Sequence, residues 1–81
     1  MDVTLVISVI GWLGSAAVIA AYLLVSTNRL RGDAVAYQLL NLVGGIFLGI
    51  NTLYLGAYPS TIVNLLWMGI AIFAIVRAVK K

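Results

Sequence analysis

The chain has 81 residues, of which 64% are hydrophobic and only 9% charged, with a net charge of +3. Soluble domains carry about 25% charged residues, and a chain this short cannot bury so much apolar surface, so the composition excludes a water-soluble domain and points to a membrane. Neither cysteine nor histidine occurs, which removes disulfides, thiolate nucleophiles and the usual routes to zinc, haem or proton shuttling near neutral pH.

The first apolar run spans residues 3–25. Only Asp2 precedes it and no basic n-region is present, so it reads as a retained helix and not a signal peptide. Ser8 and Ser15 can return their hydroxyls to carbonyls one turn back. Ser8, Gly11, Gly14, Ser15 and Val18 share one broad face, on which small residues permit close approach by another helix. Residues 26–33, STNRLRGD, break the run with turn formers, and Asp33 is expected to cap the next helix and to pair with Arg31 or Arg29.

The second span covers residues 34–55 and carries no formal charge, long enough to cross a bilayer. It holds Gln38, Asn41, Gly44, Gly45, Gly49, Asn51 and Thr52. Gln38, Asn41, Gly45, Gly49 and Thr52 fall within about 80° of a helical wheel. An amide facing lipid costs several kcal/mol, so this stripe is expected to face protein or a cavity. Gly45 and Gly49 form a GxxxG pair, readable as a close helix contact or as a dimer seam.

Residues 56–60 form a short uncharged connector with Pro59 near the start of the third span, residues 60–79. Thr61, Asn64, Met68, Ala71 and Ile75 make one stripe on that span, with Trp67 beside it as packing, lipid contact or a cavity wall. At 1.5 Å per residue, Asn51 and Asn64 both lie roughly 8 or 9 Å to the outer side of centre. Asn51 or Thr52 is therefore expected to meet Asn64, and Asn41 to find a backbone carbonyl, Ser15 or a second copy of the chain.

Three spans place the termini on opposite sides. Arg29, Arg31, Arg77, Lys80 and Lys81 then share one side and the other has no basic residue. By the positive-inside rule the N-terminus and the 56–60 loop lie outside, and the Arg-bearing loop and C-terminus in the cytoplasm. The fold class is thus an all-α integral membrane protein, one domain of three transmembrane helices in a small bundle, multi-pass in a bacterial inner membrane.

No catalytic constellation is present. The only acids, Asp2 and Asp33, are a membrane span apart, and a serine nucleophile would have no activating base. No ionisable group lies inside a span, which argues against a proton or cation relay. An enzyme is not expected, nor a cofactor, a metal or a nucleic-acid partner.

The stretches WLGSAAVIAAYLL, YQLLNLVGG, NTLYLGAYPS and NLLWMGIAI, between Gly11 and Val76, resemble a family of small three-span bacterial membrane proteins with no assigned activity. More distantly the layout is similar to the bacterial half-sugar-transporters, the SemiSWEETs, which form parallel homodimers around a solute cavity. That resemblance matches Tyr54 to the family's tyrosine and places Gly56 one residue late. It implies solute contact for Asn64, while Asn51 stands near the family's cavity tryptophan. The family's proline–glutamine pair in the first helix is absent, with Ala20-Ala21-Tyr22-Leu23 in its place, so no sugar specificity carries over.

Two readings follow. In one, a homodimer surrounds a path for a small uncharged solute, lined by Asn41, Asn51, Thr52 and Asn64 with Trp67 as an aromatic wall. In the other, the chain is an accessory or structural subunit whose small-residue stripes, including Gly11, Gly14, Ser15, Gly44, Gly45 and Gly49, dock on a larger membrane complex. Membrane lipid surrounds the protein in both.

Overall fold

A computed structural model describes residues 2–80. It contains three helices, α1 (Val3–Ser26), α2 (Val35–Tyr54) and α3 (Tyr58–Lys80). Each is long and apolar enough to cross a membrane. The molecule measures 43 × 22 × 21 Å, which exceeds the roughly 30 Å hydrocarbon thickness of a bilayer along its long axis.

The helix ends follow from local chemistry. Asp2 caps α1 through its carboxylate, which accepts from the Thr4 N–H at 3.1 Å. At the other end Asn28 takes a positive φ of 62°. The Arg29 N–H then reaches the Leu24 carbonyl and the Asn28 N–H that of Val25, the paired bonds of a Schellman stop. Helix α2 ends in the same way: Gly56 has φ 75°, with Ala57 donating to Thr52 and Gly56 to Leu53. This tight stop starts α3 at Tyr58, two residues before the expected position, and places Pro59 inside its first turn, where a missing N–H costs nothing.

Asp33 does not cap α2. The N-cap position is Ala34, with no side-chain bond. Asp33 instead pairs with Arg31, at 3.1 Å from Nε and 3.2 Å from Nη2. Both partners are exposed, so the pair adds little stability. The loop is fastened by Gln38, whose Nε2 donates to the Gly32 carbonyl at 3.0 Å.

Helix α2 is the centre of the fold. Both α1 and α3 pack on it, and among the described residues they do not pack on each other. The two adjacent glycines explain how one helix accepts two close neighbours. A Cβ on Gly44 would meet Val18 of α1, whereas one on Gly45 would sit 2.8 Å from Met68 Cγ of α3. Successive helical residues point about 100° apart, so the two contacts diverge and the flanking helices stay separated. The core is correspondingly thin: Ala21 and Ala71 are its buried hydrophobic residues. Most Val, Ile, Leu and Phe side chains point outward, as they do where the solvent is hydrocarbon.

Candidate functional site

On the α1 side, Asn51 donates from Nδ2 to the Ile7 carbonyl at 2.9 Å. It lies directly over Gly11, where a Cβ would come within 2.5 Å of that nitrogen. Lower on the same contact, Gly14 faces Gly44, Phe47 and Leu48. Ser8, Gly11, Trp12, Ser15, Leu48 and Asn51 line an open trough of about 230 Å³ between α1 and α2. Trp12 stands at its edge, 76% exposed.

On the α3 side the polar groups converge on Thr52. Its Oγ1 donates to the Gly49 carbonyl at 3.2 Å. It accepts from Thr61 Oγ1 at 3.0 Å and, more weakly, from Asn64 Nδ2 at 3.5 Å. The single Thr61 proton also has the Ala57 carbonyl within 3.1 Å.

The meeting of Asn51 with Asn64 does not occur. The two residues have equal depth, but Asn51 is turned to α1 and Asn64 to α3, and Thr52 is the residue that reaches Asn64. Gly45 lies under Met68, and a Cβ on Gly49 would lie 3.8 Å from Asn64 Cβ. Of this GxxxG pair, Gly45 is therefore occupied by the chain's own α3, while Gly49 stays half-buried at the edge of a groove.

Asn41 lies deeper toward the charged end. Among the described residues neither Ser15 nor a backbone carbonyl takes its amide. It borders a pocket of about 140 Å³ with Tyr37, Gln38, Trp67, Ile70 and Ala71. Trp67 thus accompanies Asn41, not Asn51 or Asn64. Tyr37 and Ile70 also line it, and no pattern in the sequence singles them out for a site.

Arg29 and Arg31 in the first loop and Arg77 and Lys80 on the last turn of α3 occupy one end of the molecule. Arg77 lies over the Phe73 ring, 5.8 Å from its centroid. Lys81 lies outside the described residues. Among the described residues no cluster of three metal-ligating side chains occurs.

A protein-family model matches residues 7–81, nearly the whole chain. No curated protein and no solved structure matches, and no specific link to the SemiSWEETs emerges.

Proposed function

The chain belongs to that family, a family of small bacterial proteins with three apolar, membrane-like helices, and on that premise we propose that it is a non-catalytic subunit docking on a larger membrane protein. The observation that carries this reading is where the outer-half polar groups go. Asn51, Thr52, Thr61 and Asn64 bond within the chain, as interhelical ties of about 1 kcal/mol each. A solute path needs groups free to exchange partners, and these are engaged.

The docking face is the α1–α2 trough. Because α3 does not reach α1, Ser8, Ser15 and Asn51 remain at its surface among small residues. A partner helix with its own small or hydroxyl-bearing stripe fits there, by the close packing that associates helices in lipid. Gly45 is not a docking residue in this reading, since Met68 of α3 covers it, and the half-buried Gly49 borders a separate apolar groove between α2 and α3. The Arg-bearing end faces the cytoplasm of a bacterial inner membrane, supported by the one-sided placement of Arg29, Arg31, Arg77 and Lys80.

The test is co-extraction from cells, without detergent, of the wild type and of the double variant Ser8→Leu, Ser15→Leu. The wild type brings a larger membrane protein with it. The variant keeps the same unfolding temperature and loses the partner. Retention of the partner by the variant contradicts the trough as the docking face.

A second reading, a same-orientation homodimer passing a small uncharged solute, draws its support from the pocket at Asn41 and Trp67. It requires a defined dimer in lipid and solute flux that Asn41→Ala abolishes while assembly persists.

A further inference from the structure

Four amide side chains lie on α2 and α3: Gln38, Asn41, Asn51 and Asn64. Three of them hydrogen-bond within the chain. Among the described residues Asn41 has no partner, although it is only 5% exposed. No side-chain polar atom of the described residues is both sealed and unpaired. The small area Asn41 retains therefore lies at its amide, which opens into the pocket it borders.

Asn41 sits about 5 Å from the midpoint of α2 at 1.5 Å per residue, well inside the hydrocarbon. An unpaired amide there costs several kcal/mol, and an acyl chain offers it no hydrogen bond. Water is a poor filler. The pocket would take four or five molecules at about 30 Å³ each, and each needs two to four polar partners. Besides Asn41 the walls are Tyr37, Gln38, Trp67, Ile70 and Ala71, and the Gln38 amide nitrogen is already committed to the Gly32 carbonyl, so the few remaining polar groups fall short of what that many waters need. Trp67, 45% exposed, and Ile70, more exposed still, flank the mouth on the membrane-length part of α3. The pocket therefore opens sideways, toward lipid.

We infer that this pocket binds a neutral, bilayer-soluble ring compound bearing a carbonyl, of the quinone head-group type. The Asn41 amide donates to the ring carbonyl, and the ring packs against Trp67 and Tyr37. Binding involves no bond making or electron transfer. The site does not depend on whether the chain docks on a partner or pairs with itself.

The indole in the wall supplies its own reporter. Trp12→Phe leaves Trp67 as the only tryptophan, and Trp67→Phe leaves Trp12, which faces lipid elsewhere. Both proteins in phosphatidylcholine nanodiscs are titrated with decylubiquinone while indole emission is followed. The Trp12→Phe protein shows saturable quenching, and the Trp67→Phe protein shows only the linear quenching of a quencher dissolved in the bilayer. Adding Asn41→Leu to Trp12→Phe weakens the saturable phase by about tenfold or more, through loss of the hydrogen bond. Ile70→Phe, at the exposed mouth, blocks entry without touching the core and gives the same loss if Asn41→Leu fails to fold. Equal linear quenching of both indoles, or a saturable phase that neither variant alters, overturns the inference.

Discussion

Gly14 and Gly44 meet across the α1–α2 contact so closely that a Cβ on either would lie 3.1 Å from the other's carbonyl oxygen. The obstacle is backbone, which cannot swing aside. Gly14→Ala and Gly44→Ala are therefore expected to lower stability by about 1–3 kcal/mol, the usual range for overpacking. Gly49→Ala, with an ordinary contact, and Gly69→Ala, with nothing within 4 Å, should be neutral or stabilising by up to about 1 kcal/mol. Unfolding in a mild detergent series separates the pairs.

Gly11 and Asn51 should behave as one unit. Asn51→Ala removes the bond to Ile7 and should cost about 1 kcal/mol. Gly11→Ala pushes a methyl into the Asn51 amide and breaks the same bond. With Asn51 already shortened the methyl has room, so the double variant should lose clearly less than the sum of the two. Strict additivity would mean that Asn51 does not rest on Gly11.

Thr52 accepts from two partners and Thr61 has a substitute in the Ala57 carbonyl. Thr52→Val is accordingly expected to destabilise by about 1 kcal/mol, since it leaves the Asn64 amide without its acceptor. Thr61→Val should cost less, because Thr52 still accepts from Asn64 and donates to Gly49. The reverse order in a thermal unfolding series would contradict Thr52 as the meeting point.

The chain has no cysteine, so single cysteines report orientation cleanly. In spheroplasts, a membrane-impermeant maleimide should label Ser60→Cys and leave Gly32→Cys unlabelled until the membrane is opened. Both sites are exposed loop or helix-end positions. Labelling of both from outside would show two orientations and remove the cytoplasmic placement of the basic residues.

The three spans were legible because uninterrupted apolar runs are the strongest signal a sequence carries for membrane helices. Their edges shifted by one or two residues where backbone geometry decides, as at Gly56, whose left-handed turn lets α3 begin at Tyr58. Depth was legible too, from 1.5 Å per residue. Rotation was not. Asn51 and Thr52 are neighbours in sequence but point about 100° apart, so one serves α1 and the other α3, and matching depths alone could not assign them. The central position of α2 left one local trace, the adjacent glycines at 44 and 45. The Asn41 pocket left no trace for Tyr37, and Trp67 read as a possible cavity wall without being tied to Asn41 in particular, because the walls come from two helices whose mutual rotation only tertiary packing sets.

The most direct test of the proposed role is the mass of the protein as it leaves its native membrane, by detergent-free extraction and native mass spectrometry. The docking account predicts one copy of the chain in a complex with a larger membrane protein. A clean homodimer with nothing else bound would contradict it and favour the solute-path reading instead.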